Sequence, residues 1–211
     1  MYKRQINDCL DKSYNYNSTK VECYSNSIFE NFILSLGSNL IKNEIQELQK
    51  LGCERIQLDE PVLTEAPQEC VWAADVINDI VDAFPSLHFS LHICGGNAHR
   101  KRGYFGKYQD MVDGLKKLKV HELHLEHCTL HYNMLEVFDL YNFEGILSCG
   151  VIDQRSDELE DIDTVHERIK PVIDRFGSER ILLSSECGFG HVPIDITRAK
   201  LRRLVEAAKK Y

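Results

Sequence analysis

The chain has 211 residues, 43% of them hydrophobic and 27% charged, a balance typical of one soluble globular domain. Its net charge of −8 argues against a nucleic-acid-binding protein, which would carry a basic face. No apolar run approaches the roughly 20 residues that a membrane span needs. The first residues also lack the apolar core of a signal peptide. We therefore expect a cytoplasmic protein that binds neither nucleic acid nor membrane.

The chain repeats one pattern five times after a polar beginning. Residues 1–27 show no hydrophobic period, so we expect an irregular lead-in followed by one domain over residues 28–211. From Ser27 to Leu51 apolar residues recur at spacings of three and four, which predicts a helix, in one piece or broken at Gly37. Strands are predicted at 55–59, 87–94, 122–126, 145–151 and 180–185, and helices at about 68–84, 106–119, 131–140, 161–176 and 195–210. This alternation predicts an α/β protein with βαβ units and a parallel sheet.

Polar residues stand at the end of every predicted strand. The five strand ends are Asp59-Glu60-Pro61, His92-Ile93-Cys94, Glu126-His127-Cys128, Asp153-Gln154-Arg155 and Glu186-Cys187-Gly188. In parallel α/β sheets the loops that follow the strands carry the chemistry. Packing alone does not explain five polar strand ends in register, so the sequence predicts a functional site at this edge of the sheet.

Four of these residues have the chemistry of metal ligands. His92 and Cys94 point to the same side of one strand, because successive side chains alternate. Taken alone, this pair is better explained as a core histidine beside a buried filler thiol. Glu126 and Cys187 on two further strand ends change the interpretation. Two thiolates, an imidazole and a carboxylate suit zinc better than magnesium or calcium, which prefer all-oxygen shells.

Three other features have two interpretations each. His124 shares the face of Glu126, one pleat deeper, and is a second-choice ligand. The basic loop at residues 99–102 is expected to be solvated surface, with contact to an acidic substrate as the alternative. Asp59 is either an acidic turn residue ahead of a proline or a carboxylate that holds a substrate ammonium group.

The strand ends, in this order, resemble the catalytic C-terminal barrel of cobalamin-independent methionine synthase, one of a group of zinc-dependent thiol methyl- and alkyltransferases. The resemblance runs from about residue 35 to the end and includes the loop after Cys94, which is similar to the shorter, single-barrel homologues. The matching motifs are Ile56-Gln57-Leu58-Asp59-Glu60-Pro61, His92-Ile93-Cys94, Leu125-Glu126, Gly150-Val151-Ile152-Asp153 and Glu186-Cys187-Gly188. The resemblance implies a (β/α)8 TIM-barrel fold of which only about the last five β/α units are present.

The resemblance also implies roles for individual residues. The zinc ligands fall on His92, Cys94, Glu126 and Cys187, and the catalytic positions fall on Asp59, Glu126 and Asp153. Substrate binding is assigned to Asp59, which would hold the amino group of homocysteine, and to Glu60 and Asn97. The implied reaction moves a methyl group from 5-methyltetrahydrofolate, as its polyglutamate, to the thiol of homocysteine and gives methionine.

Two departures from the family pattern keep alternatives open. Three strands of the barrel do not appear, so the chain is a fragment, a shortened homologue, or a protein that covers its open sheet by self-association. Arg155 stands where the synthase has a histidine that is thought to handle a proton. The alternatives are a zinc enzyme acting on a different thiol or alkyl donor, a non-catalytic truncated zinc-binding homologue, and a decarboxylase-like relative without metal.

Overall fold

The computed structural model describes residues 27–128 and 134–211. Of the lead-in predicted at residues 1–27, residues 1–26 lie outside this part of the chain, and Ser27 begins the first helix. The helices are α1 (Ser27–Lys50), α2 (Cys70–Ala83), α3 (Val112–Leu115), α4 (Met134–Val137), α5 (Ile162–Phe176) and α6 (Ile194–Ala208). The strands are β1 (Arg55–Asp59), β2 (His88–Ile93), β3 (Glu122–Glu126), β4 (Ile146–Ile152) and β5 (Ile181–Ser185). None of the described helices has the length and apolar character needed to cross a membrane.

The long helices follow the hydrophobic pattern, and the middle of the chain departs from it. Helix α1 runs through Gly37 without a break. The helix predicted at 106–119 is wrong in length, because only a 3-10 turn (Tyr108–Met111) and the four-residue α3 form there. The loop before it is fixed by tertiary contact, since the Gly106 amide donates to the Thr64 carbonyl at 2.8 Å. Of the helix predicted at 131–140, the structure describes α4, while residues 129–133 lie outside the described part.

The sheet explains how the strand ends are brought together. All five described strands are parallel, and their order in the sheet is their order in the chain. A doubly wound fold would reverse this order partway, whereas consecutive units of a (β/α)8 barrel keep it. The predicted barrel-type α/β fold, present as five β/α units, is therefore confirmed.

The two faces of the sheet differ in chemistry. In-register neighbours on parallel strands point the same way, and Asp59, His92, His124 and Ser148 form one such row. This face is polar. The opposite face is apolar and buried, and it includes Ile56, Phe89, Leu91, Ile93, Leu123, Leu125, Leu147, Cys149 and Val151. The helices cover the apolar face because right-handed crossovers place them on one side, so the polar face and the strand ends are left for the site.

Candidate metal centre

Three of the four predicted metal ligands meet at one point. His92 lies near the end of β2, Cys94 directly follows that strand, and Cys187 follows β5. One ligand atom from each lies within 4.8 Å of the other two, and all three residues are buried. Within residues 27–128 and 134–211, this is the one group of three or more candidate ligands with such spacing. The predicted convergence of distant strand ends is therefore present.

The imidazole of His92 is buried without a hydrogen-bond partner among the described residues. The residue is only 2% exposed, yet neither Nδ1 nor Nε2 has a hydrogen-bond partner among the described residues. A buried polar group without a partner is costly and calls for an explanation. A metal ion would take one of these nitrogens, and an imidazole with two cysteine sulfurs is a ligand set that suits zinc. The residues present thus fit the metal that the resemblance implies.

The surroundings of Cys94 favour its neutral thiol. Cys187 Sγ donates a hydrogen bond to Cys94 Sγ over 3.8 Å. The close contact with the Cys187 sulfur, together with burial, raises the pKa of the Cys94 thiol far above its usual range, and the nearby carboxylate of Glu126 raises it further. Because the thiolate is the form that binds a metal, a cation at this point is what would favour ionised cysteines.

Glu126 lies outside the group of three. It ends β3 with 0% exposure, and its carboxylate accepts hydrogen bonds from the Asn97 amide and, at 2.8 Å, from the Arg102 guanidinium. Its assignment as a metal ligand stays a prediction.

The basic loop is not simply the solvated surface that was expected. The Arg102 side chain is 7% exposed and forms an ion pair with Glu126. Arg100 donates to the Arg155 carbonyl at 2.8 Å and pairs with Asp157 at 2.7 Å. His99 and Arg100 adopt φ values of 52° and 62°, a left-handed conformation that non-glycine residues rarely take. This turn directs two arginines inward, which the sequence pattern did not indicate.

A polar network joins the remaining strand ends. Arg155 Nε donates to Asp153 at 2.9 Å, and its Nη2 atom pairs with Glu186. Its Nη1 atom donates to the Asn97 amide oxygen at 3.3 Å, while the amide nitrogen of Asn97 donates to Glu126. Glu186 is not among the predicted site residues, although this fully buried acid directly precedes Cys187. The predicted roles of Asp153 in catalysis and of Asn97 in substrate binding stay predictions.

The two acidic residues after β1 have different surroundings. Asp59 is half-buried beside His92 in the sheet register and accepts a hydrogen bond from Gln57 at 2.9 Å. The Glu60 carboxylate instead accepts from the Val62 amide at 3.2 Å, within its own turn. Burial raises the pKa of Glu60 to about 7. Their assignments to substrate binding stay predictions.

His124 lies beside the group of three and is not a member of it. Its ring centroid is 4.2 Å from that of His92. Its Nε2 atom lies 2.9 Å from both the Ser185 carbonyl and the Ser184 hydroxyl. Since a carbonyl only accepts, this nitrogen carries the proton. Burial lowers the pKa of His124 to about 4, so the ring is neutral.

The chain is similar in sequence to methionine synthases from archaea. A methionine synthase from Saccharolobus islandicus is 27% identical over 169 residues, covering 80% of this chain and 48% of that protein. The methionine synthase of Sulfolobus acidocaldarius is also 27% identical, and the match covers 80% of this chain and 46% of that protein. The chain therefore spans about half the length of these curated relatives.

A solved structure agrees with the fold. The B12-independent methionine synthase from Shewanella sp. W3-18-1, in complex with selenomethionine, superposes with a TM-score of 0.72 at 20% identity. The superposed region covers 90% of this chain and 56% of the Shewanella chain, as expected for a partial barrel. The sequence profile described as cobalamin-independent synthase, catalytic domain, matches residues 26–210. The chain belongs to the family of cobalamin-independent methionine synthase catalytic domains.

Proposed function

We propose that the chain forms a zinc-dependent methyltransferase site that moves a methyl group from 5-methyltetrahydrofolate polyglutamate to the thiol of homocysteine, giving methionine. The observation that carries this proposal is the group of His92, Cys94 and Cys187, buried together with both imidazole nitrogens of His92 unpaired among the described residues. Membership in the cobalamin-independent synthase family supplies the class of reaction.

His92, Cys94 and Cys187 would hold the metal ion, with Glu126 as the fourth candidate ligand. When bound, zinc lowers the pKa of a coordinated thiol, so that the thiol ionises near neutral pH. The other residues around the site would bind and orient the substrates. Asp59 projects from the polar face beside His92 and offers a half-buried carboxylate to a substrate ammonium group.

Glu60, Asn97 and Asp153 would complete the surroundings of the substrates. The Asp153 carboxylate accepts hydrogen bonds from both the backbone amide and the side chain of Arg155. These two bonds fix the direction of the carboxylate. Asn97 lies 9% exposed between Glu126 and Arg155. Both positions lie at strand ends, on the edge of the sheet that carries the three metal-ligand candidates.

A second candidate, transfer to another thiol or from another alkyl donor, is favoured by one specific observation. Arg155, at the position of the family's histidine, is paired with Asp153 and Glu186. A guanidinium does not release its proton near neutral pH. Alkyl donors whose leaving group needs no proton from this position would suit the site. The chain spans about half the length of its relatives. A non-catalytic zinc-binding homologue, or a homologue completed by self-association, is therefore also an outcome that the test distinguishes.

The test combines metal analysis with methyl transfer. We expect about one zinc ion per chain in the purified protein and loss of most of it in His92→Ala, Cys94→Ser and Cys187→Ser. Cys149→Ser, which changes a buried cysteine on the apolar face, is the matched control and should keep its zinc. Unchanged zinc content after loss of Cys94 would contradict the proposal.

Mass spectrometry of the products then identifies the reaction. Methionine formed from homocysteine and methylated folate supports the first candidate, and methylation of a different thiol supports the second. Bound zinc without transfer to any thiol, in a protein whose mass in solution is that of one chain, would identify a non-catalytic homologue. Transfer only by a self-associated form would identify a site completed by a second copy.

A further inference from the structure

We propose that Arg155 is a positioning residue of the metal centre, whose guanidinium joins the loops that follow β2 and β5 and thereby sets the geometry and affinity of the metal ligands. The inference rests on the proposed zinc site. It concerns a residue that departs from the family pattern, and it follows from four contacts that Arg155 makes to three strand ends.

The first branch reaches Cys187. The Nη2 atom of Arg155 pairs with the carboxylate of Glu186, which is 0% exposed and directly precedes Cys187. The Glu186 backbone is also fixed, because its amide donates to the Ile152 carbonyl at 2.9 Å. With both its backbone and its side chain held, Glu186 has little freedom to turn. The direction in which the chain presents Cys187 is therefore coupled to Arg155.

The second branch reaches Glu126 through Asn97. The Nη1 atom of Arg155 donates to the amide oxygen of Asn97 at 3.3 Å. An amide whose oxygen faces a guanidinium must turn its nitrogen the other way, and that nitrogen donates to the Glu126 carboxylate. Arg155 thus determines which group Asn97 offers to the candidate fourth ligand. Without Arg155, the amide could reverse and present its oxygen to Glu126, which would repel the carboxylate.

Arg155 is itself held firmly enough to act in this way. Its backbone amide and its Nε both donate to Asp153, at 2.8 Å and 2.9 Å. Its carbonyl accepts from Arg100 at 2.8 Å, and its side chain is 15% exposed. Three different nitrogens of one planar group contact Asp153, Asn97 and Glu186. A lysine ammonium is a point charge on a flexible stem and cannot reproduce this fork.

Two substitutions at Arg155 test the inference by metal binding. We expect Arg155→Met to weaken zinc binding roughly 10- to 100-fold in competition with a chelator, the usual effect of losing a group that orients a metal ligand. Arg155→Lys should weaken it similarly. The visible spectrum of the cobalt-substituted protein should change in band position or intensity, because the ligand geometry changes. Arg175→Met, which removes an arginine bound to Asp139 and the Phe138 carbonyl and to none of the candidate ligands, should alter neither measurement.

A double variant separates positioning from charge balance. Arg155→Met leaves Glu186 as a buried carboxylate without this guanidinium, which could impair folding by itself. Arg155→Met with Glu186→Gln removes that charge, and circular dichroism would confirm that the variant is folded. If Arg155 positions the ligands, the double variant still binds zinc more weakly than wild type. If zinc affinity returns to the wild-type value, Arg155 acts only by balancing charge and the positioning role is wrong.

Metal binding by the wild-type protein separates the role of Arg155 from the proposed zinc site. Wild-type protein that takes up neither zinc nor cobalt would overturn the proposed site itself. Wild-type protein that binds zinc, with Arg155→Met and Arg155→Lys giving the same affinity and the same cobalt spectrum, would overturn only the role of Arg155. As an independent check, Asn97→Ala interrupts the second branch without exposing a charge, and it should also change the cobalt spectrum. An unchanged spectrum there would contradict the coupling to Glu126.

Discussion

Cys94 and Cys187 are 93 residues apart in the chain, and their sulfur atoms lie 3.8 Å apart. They follow β2 and β5, which are separated in the sheet by β3 and β4. Strands are spaced by about 4.8 Å, so three spacings across a flat sheet would put these strands roughly 14 Å apart. The sulfur atoms meet because the sheet curves as a barrel does and because the loops after its strands turn inward.

This sulfur pair should respond to metal removal. After treatment with a chelator, we expect hydrogen peroxide to join Cys94 and Cys187 in an intramolecular disulfide, two thiols and one peroxide giving the disulfide and two waters. Hours of incubation are needed, because the raised pKa of Cys94 leaves little of the reactive thiolate. Bound zinc should slow this reaction strongly, since it occupies both sulfurs. Mass spectrometry after peptide digestion would locate the bond. Cys149, on the apolar face, should remain a thiol in both conditions. Equal oxidation rates with and without zinc would mean that the two sulfurs do not share a metal.

The buried pair of Glu126 and Arg102 should be strongly coupled energetically. The two side chains are 0% and 7% exposed, so removal of either charge leaves the other buried without this partner. We expect Glu126→Gln and Arg102→Met each to lower the free energy of unfolding by about 3–5 kcal/mol. The double variant should lose clearly less than the sum, as measured by urea denaturation of metal-free protein. The exposed pair of Arg203 and Glu206 is the reference, with an expected effect of about 0–1 kcal/mol. Additive losses at Glu126 and Arg102 would contradict the coupling.

Glu60 should make stability fall as pH rises. Burial raises the pKa of Glu60 from the ordinary 4.5 to about 7 in the folded protein, so the folded form binds this proton more tightly than the unfolded form. The contribution of Glu60 is therefore fully present below about pH 4.5 and is lost as the pH rises towards 7. We expect Glu60→Gln to remove this decline in urea-unfolding curves recorded between these values. Exposed Glu65→Gln is the control. A parallel pH dependence in wild type and Glu60→Gln would show that the carboxyl titrates normally.

Lys200 should stabilise the Asp153 strand end through Glu160. Its ammonium group is completely buried in α6 and donates to Glu160 at 2.9 Å, while the other oxygen of Glu160 accepts from the Asp153 amide at 2.7 Å. We expect Lys200→Met to destabilise the protein by about 3 kcal/mol, because Glu160 loses its closest cation. Adding Glu160→Gln should restore part of that loss in thermal or urea unfolding. Lys209→Met, at an exposed position near the end of α6, should change little. A loss at Lys200 no larger than at Lys209 would contradict the supporting role.

The sequence by itself determined the architecture and the chemistry at the strand ends. Hydrophobic periods are local properties, since a strand alternates every two residues and a helix repeats every 3.6. The long helices α1, α5 and α6 and the five strands therefore lie close to their predicted ranges. Ligand chemistry is also local, because the identities of His92, Cys94 and Cys187 limit the metals they suit. The short α3 differs from its prediction because contacts with distant residues, such as the one between Gly106 and Thr64, decide its start.

Only the tertiary structure decided which side chains meet. The burial of Arg102 against Glu126 depends on a left-handed turn at His99 and Arg100. Neither residue is a glycine, so the sequence does not indicate this turn. The pairing of Glu186 with Arg155 joins two strand ends whose contact no local pattern encodes. The approach of Cys94 to Cys187 depends on the curvature of the whole sheet. Curvature is a sum of small twists over many strand pairs, so it has no signature in any single segment of the sequence.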